Sequence, residues 1–204
     1  MDQLNLFGGS PKQNSPIEIS GGEYLYIENF FDRKSADRLF NAFLQEIDWN
    51  QEGMMMYGKY VQFPRLTAWY GENDKPYSFS GITLQPKPWS SELLEIKGLI
   101  EPLAKTSFNS VLLNRYRDGS DSISWHTDAE KELGIDPIIA SVNFGAERTF
   151  QLKHFKTQER IDIQLKHGSL LIMMGALQHN WQHQVPKTKK VIGERINLTF
   201  RTIR

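Results

Sequence analysis

The sequence predicts a mostly β protein of the α+β class, a β-sandwich or barrel supported by helices that come first in the chain. Two observations carry this. From residue 108 onward, short β-forming segments follow one another with only turns between them: 109–116, 123–127, 138–144, 148–154, 161–165, 169–174, 180–185 and 194–203. Strands at that spacing without intervening helices build sandwiches and barrels. Before residue 108, two stretches read as helices among a few further strands, so the helices all precede this run of strands.

The elements follow in order. Residues 1–22 carry Gly8-Gly9-Ser10-Pro11, Asn14-Ser15-Pro16 and Gly21-Gly22, the punctuation of a flexible tail followed by turns. Residues 23–31 alternate, with Tyr24, Tyr26 and Ile27, and predict a strand. Asp32 is a suitable N-cap, and Ala36, Leu39, Phe40, Phe43, Leu44 and Ile47 recur at helical spacing, predicting an amphipathic helix over 33–48. A turn is expected at Gly58, a strand over 65–70, a turn over 71–74 and a strand over 77–84 closed by Pro86 and Pro88. Ser90 caps a second helix to about residue 105, with Gly98 and Pro102 weakening its later turns. The organisation is a tail (1–22), an N-terminal extension (23–107) and a β core (108–204) within one compact domain.

Composition excludes several classes. At 204 residues, with 39% hydrophobic and 24% charged, the chain suits one soluble globular domain. No apolar run approaches the roughly 18 residues of a membrane span, and the N-terminus lacks the basic-then-apolar pattern of a secretory signal. The absence of cysteine removes disulfides, zinc ribbons and thiol nucleophiles and fits a reducing compartment. Net charge is zero, yet from Trp181 to the end Lys187, Lys189, Lys190, Arg195, Arg201 and Arg204 face only Glu194, so a basic patch on one face is possible.

The chemistry-bearing residues lie in the β core. On a strand, residues two apart point the same way, so His126 and Asp128 in "SISWHTDAE" present an imidazole and a carboxylate side by side. A second histidine from a distant strand would complete two histidines and one carboxylate on one face of a metal. That set leaves three positions open and suits non-haem Fe(II) binding a cosubstrate and O2. His154, at a strand end beside Lys153, and His167, before Gly168 at a turn, read as solvated. His179 and His183 in "GALQHNWQHQVP" are the candidates, and spacing does not choose between them; His183 faces inward if it shares a side with Trp181 and Val185.

In "ERINLTFR", alternation puts Arg195, Asn197, Thr199 and Arg201 on one face and Ile196, Leu198 and Phe200 on the other. Two arginines on an inner face need something anionic, either acids of neighbouring strands or a ligand with two carboxylates. In "LLNRYRDG", Asn114 and Tyr116 share a face, and each can donate to an oxyanion.

The motifs "NRYRDGSDSISWHTD", "IASVNFGAERTF", "HGSLLIM", "WQHQVP" and "RINLTFR", with "FPRLTAWYG" and "YSFSGITLQPKPW" upstream, resemble the AlkB-type DNA dealkylases over roughly residues 20–204, most of all the branch that repairs double-stranded DNA. The resemblance implies a double-stranded β-helix (jelly-roll) core, N-terminal supporting helices and a nucleotide-recognition lid. It implies Fe(II), 2-oxoglutarate and O2, with oxidation of an N-linked methyl group releasing formaldehyde, succinate and CO2. His126, Asp128 and His183 match the iron ligands. Arg195 matches the clamp on the far carboxylate of 2-oxoglutarate, with Tyr116 beside it. Arg201, Asn197 and Asn114 match the group around the chelating end.

For the substrate, a base on lesion-bearing DNA (1-methyladenine or 3-methylcytosine type) must be flipped out or already single-stranded. Phe79 matches a stacking residue, with His126 opposite and Tyr77 lining the pocket; as a bare pattern, Tyr77 and Phe79 also read as core strand residues. Arg65 matches a pocket-edge or backbone contact, and Glu130 an acid near the exocyclic amine. Ala129 departs from the acid that relatives often carry there, which leaves the balance of adenine and cytosine lesions open. Tyr57 in "MMMYGKY" aligns with an apolar wedge, or the methionines pack under a hairpin. Lys187, Lys189 and Lys190 suit phosphates or a solvated loop. In the tail, Gln3, Leu4, Leu6 and Phe7 of "QLNLF" resemble a bacterial sliding-clamp peptide, or a tail folded on its own domain. The expectation is a monomeric DNA-acting enzyme with no membrane partner, in the bacterial cytosol or a eukaryotic nucleus. The alternative is the same iron chemistry on RNA or protein.

Overall fold

The computed structural model describes residues 15–56, 58–72, 77–79 and 82–204. The first half runs β1 (Ile17–Ile19), β2 (Gly22–Ile27), α1 (Arg33–Glu46), β3 (Gly53–Met56), β4 (Lys59–Gln62), β5 (Leu66–Gly71), β6 (Tyr77–Phe79), β7 (Ile82–Leu84) and α2 (Ser91–Ala104). The second half runs β8 (Ser110–Tyr116), β9 (Ile123–His126), β10 (Ile139–Gly145), β11 (Arg148–His154), β12 (Arg160–Leu165), β13 (Ser169–Met174), α3 (Leu177–Asn180), β14 (Trp181–Val185) and β15 (Arg195–Arg201), with a 3-10 turn at Lys131–Leu133.

These strands form two main sheets. One has seven strands in the order β1-β2-β13-β10-β15-β8-β5, the other four in the order β12-β11-β14-β9. Every pairing inside them is antiparallel. One buried cluster joins Tyr116, Ile139, Leu171 and Met173 of the larger sheet to Phe150, Leu152, Trp181 and Val185 of the smaller, so the sheets face each other across a shared core. This is the jelly roll.

The helices cover the outer face of the larger sheet. Asp32 accepts a hydrogen bond from the Ser35 N–H at 2.7 Å and starts α1. Ser90 does the same for Leu93 in α2. Ala36, Leu39 and Phe43 of α1 and Leu93, Ile96 and Ile100 of α2 share one cluster with Leu113, Val142, Phe144, Ile196, Leu198 and Phe200. All seven residues of β15 are therefore buried: the even-numbered ones lie beneath the helices and the odd-numbered ones between the sheets. Position 145, the last residue of β10, requires glycine. Its φ is +85°, and a Cβ would sit 2.3 Å from the Glu194 carbonyl oxygen.

Three expectations are corrected. The strand expected over 23–31 ends at Ile27, because the chain turns there to enter α1; Phe30 and Phe31 are buried all the same. The single strand expected over 77–84 is a two-stranded pair, Tyr77 opposite Leu84 and Phe79 opposite Ile82. Ser80 and Gly81, between the two strands, lie outside the described residues. Asn180 closes the short helix α3 rather than opening the next strand. Among the described residues, no helix is long and apolar enough to cross a membrane.

Candidate metal and cosubstrate site

Strand β9 delivers His126 at its last residue, and Asp128 follows where the chain leaves the sheet. Strand β14 lies beside β9 with His183 directly opposite His126. Alternation along β14 buries Trp181, His183 and Val185 on one face, which is the condition that turns His183 inward. The two imidazole rings stand 4.2 Å apart between centroids. One ligand atom from each of His126, Asp128 and His183 lies within 4.8 Å of the others. His179 is excluded: it sits half exposed on α3, its Nε2 3.3 Å from the Asp136 carboxylate.

The donor set is in its ligating state. Burial pushes the Asp128 carboxyl up, but the charge of Arg201, then of His183 and His126, outweighs it and brings the group down to about 2. Burial lowers His183 to about 3, with His126 and Arg201 adding to the effect and Asp128 opposing it. Burial also lowers His126. At neutral pH the cluster is one carboxylate and two neutral imidazoles. His126 Nδ1 lies 2.8 Å from the Ser124 carbonyl oxygen and donates to it, leaving Nε2 bare. Arg201 Nη2 donates to Asp128 Oδ1 at 2.9 Å, fixing one carboxylate oxygen. Two nitrogens and one oxygen on one face fit Fe(II).

Beside this cluster is a chamber lined by the inner residues of β15 and β8. Arg195 is 2% exposed. Its Nη2 donates to Asn143 Oδ1 at 2.6 Å, while Nε and Nη1 have no hydrogen-bond partner among the described residues. Tyr116 lies opposite it in register, and the Arg195 guanidinium sits 4.9 Å from the phenol ring centre. A buried cation with donors to spare asks for an anion, and its planar fork suits a carboxylate. Asn197 Nδ2 donates to Ser141 Oγ at 2.8 Å, and its Oδ1 accepts from Thr199 Oγ1. Asn114 Oδ1 accepts from Arg65 Nε at 2.8 Å. The chamber's lining thus offers, at Arg195 and beside the metal cluster, the donors that a carboxylate needs.

A second, open pocket of about 470 Å³ leads to the same cluster from outside. Met54, Val61, Phe63, Arg65, Trp125 and Glu130 line it, with His126, Asp128 and Arg201 at its floor. Arg65 is 6% exposed and lies over the Phe63 ring, so it is a wall of the pocket rather than a rim residue. One oxygen of Glu130, Oε2, is buried without a hydrogen-bond partner among the described residues. Tyr77 and Phe79 stand on the β6–β7 pair, and their side-chain roles lie outside what is described. Tyr57, Gln3, Leu4, Leu6 and Phe7 lie outside the described residues.

Two of the remaining histidines correct the expectation of solvation. His154 shares the inward register of β11 with Arg148, Phe150 and Leu152, so it is buried; its Nδ1 accepts from the N–H groups of Lys156 and Thr157. His167 Nδ1 accepts the Gly145 N–H at 2.8 Å and Nε2 lies 3.1 Å from Asp37, tying a turn to α1. Further buried polar residues brace the site. Asn143 and Ser141 share the inner face of β10, as polar residues do on β15, and bond Arg195 and Asn197. Arg148 occupies an inward position on β11 and donates to the carbonyls of Asp118, Asp121 and Pro186, holding two loops together.

Two facing antiparallel sheets, a His-x-Asp pair opposite a distant histidine and a buried arginine beside them define a 2-oxoglutarate-dependent iron oxygenase. The family model of the 2OG-Fe(II) oxygenase superfamily matches residues 23–201, and the chain belongs to that family. More particularly, the chain is 46% identical to alpha-ketoglutarate-dependent dioxygenase alkB homolog 3 of Bos taurus, over 93% of this chain and 68% of the relative. It is 45% identical to the Homo sapiens protein of that name (85% of this chain, 64% of the relative). It is 39% identical to DNA oxidative demethylase ALKBH2 of Bos taurus (85% and 66%). The chain spans about two thirds of the length of these relatives. Among solved structures, OsALKBH1 superposes with a TM-score of 0.64 at 18% identity, covering 91% of this chain and 100% of the other. A prolyl hydroxylase from Trichoplax adhaerens superposes at 0.58 with 13% identity, covering 87% and 83%. These two likenesses show the shared fold.

Proposed function

We propose that this chain oxidatively demethylates N-alkylated bases in DNA, of the 1-methyladenine and 3-methylcytosine type. The observation that carries the reading is the His126–Asp128–His183 cluster at the floor of an open pocket, in a chain similar to proteins named alkB homolog 3 and DNA oxidative demethylase. Bound Fe(II) and 2-oxoglutarate would supply the oxidation of the N-methyl group by O2, with succinate, CO2 and formaldehyde as products.

The residues have separable tasks. His126, Asp128 and His183 hold the metal. Arg201 keeps Asp128 ionised and oriented. Arg195 holds the far carboxylate of 2-oxoglutarate, with Tyr116 against it, while Asn197 and Asn114 shape the chelating end. The outer pocket takes a flipped base. Phe79 stacks on it with Tyr77 beside it, Arg65 walls the pocket, and the unpartnered Glu130 oxygen accepts from an exocyclic amine. Tyr57, which follows β3 in the sequence, fills the gap left in the duplex. Lys187, Lys189 and Lys190, all exposed, reach phosphates. Gln3, Leu4, Leu6 and Phe7 dock on a bacterial sliding clamp. Access to DNA places the protein in the bacterial cytosol or a eukaryotic nucleus, as a monomer.

The test is formaldehyde release from methylated DNA, RNA and peptide under identical conditions, with single- and double-stranded DNA compared. Release from DNA that falls about 5- to 150-fold in Phe79→Ala, the range expected for losing one stacked base, supports the reading. Release from peptide or RNA alone would reject it.

A further inference from the structure

We propose that Gln178 is a positioning residue for the metal centre, its side-chain carbonyl fixing the Asp128 backbone and with it the Asp128 carboxylate. The inference rests on reading His126, Asp128 and His183 as metal ligands. Gln178 lies on α3 and is 1% exposed. Its Oε1 accepts the Asp128 N–H at 3.0 Å. Its Nε2 makes a weak contact with Met173 Sδ at 3.6 Å. A backbone N–H can only donate, so this bond sets which way the amide faces.

The place is where a tether is needed. Strand β9 ends at His126, so Asp128 lies beyond the sheet ladder and its buried N–H must find a side-chain acceptor. Arg201 holds one carboxylate oxygen and Gln178 holds the backbone below it, so the ligand is fixed at both ends. Helix α3 also runs directly into β14, which carries His183. One short helix therefore links the two segments that bring the ligands together. Its sequence neighbour Leu177 and its contact Met173 belong to one apolar cluster, beside which leucine or methionine would serve for packing alone. An amide there is explained by the bond it makes.

Partners that orient metal ligands typically contribute 10- to 100-fold in metal affinity. The experiment titrates Mn(II) into the full-length metal-free protein, unaltered and as Gln178→Leu, Gln178→Glu and Asp128→Ala. Thermal melts and the visible spectra of the Co(II)-loaded forms accompany it. Gln178→Leu should bind Mn(II) about 10- to 100-fold more weakly with an altered Co(II) spectrum. Gln178→Glu, which keeps an oxygen to accept the Asp128 N–H, should bind close to the unaltered protein. Should Gln178→Leu not fold, Gln178→Asn, whose amide stops one methylene short, carries the same comparison. Unchanged Mn(II) affinity in the variant that lacks the acceptor overturns the proposal, and so does equal loss in the Leu and Glu variants, which marks a packing role. If the unaltered protein does not bind Mn(II), or Asp128→Ala binds it as well, the metal reading itself falls and the proposal with it.

Discussion

Arg201→Leu strips the Asp128 carboxylate of its nearest positive charge, a guanidinium nitrogen 2.9 Å from Oδ1, with only 6% and 5% of the two side chains exposed. With charge centres about 4 Å apart and an effective dielectric near 20, the attraction is roughly 4 kcal/mol, or about three pKa units. The carboxyl now held at about 2 would then titrate at roughly pH 5 in the variant. A ligand must shed its proton to bind metal, so the consequence is a change of slope. Mn(II) affinity is measured from pH 8 to pH 4 in both proteins. At pH 8 both carboxyls are ionised, and the ratio of affinities is constant. At pH 5 the variant should have lost about a further twofold relative to the unaltered protein, and between pH 5 and pH 4 the extra loss should steepen towards tenfold per pH unit. Breaking a buried pair also costs about 3–5 kcal/mol of stability, so folding is monitored at each pH by circular dichroism. Two profiles that run parallel throughout would show that Arg201 does not hold Asp128 ionised.

Other consequences are equally specific. Arg195→Met should weaken 2-oxoglutarate binding by roughly 30-fold to several thousandfold, the 2–5 kcal/mol of an unpaired buried charge partner, while leaving Mn(II) affinity alone; calorimetry with the Mn(II)-loaded protein reads both. The metal-free protein should lose stability as pH drops from about 6.5 towards 3. His183 sits near 3 in the folded protein and at its ordinary value of 6.5 in the unfolded chain, which therefore holds the extra proton across that window. Asp128 acts lower: its stabilisation is present above 3.8 and lost as pH falls through about 2. Melting temperatures recorded across this range should fall, and His183→Gln should flatten the decline. Phe43→Ala, at a residue 2% exposed between α1 and Phe144, should destabilise by about 3–5 kcal/mol in urea unfolding without changing Mn(II) affinity of the folded protein.

Much of the fold was legible because alternation and burial coincide in this chain. β15 shows why: Ile196, Leu198 and Phe200 need a helix-covered face, and Arg195, Asn197, Thr199 and Arg201 need a polar interior, so the sequence states both surroundings. The same logic made the inward turn of His183 conditional on Trp181 and Val185 sharing its side, as they do, but spacing left His179 open and only the family resemblance chose between them. That logic failed for His154, where a neighbouring lysine suggested solvent although the register with Phe150 and Leu152 pointed inward. Residues 77–84 read as one strand because both short strands alternate apolar with polar residues. Gln178 was invisible for a different reason. Its partner is a backbone N–H fifty residues away, and no pattern in the sequence announces a bond to main chain. Arg148, which binds three carbonyls, escaped likewise.

The most direct test is a crystal of the full-length protein grown without oxygen and containing Mn(II) and 2-oxoglutarate. The account predicts one ion at coordinating distance from His126, Asp128 and His183, with the distal carboxylate of the keto acid against Arg195. An ion bound elsewhere, or a keto acid that leaves Arg195 untouched, would contradict it.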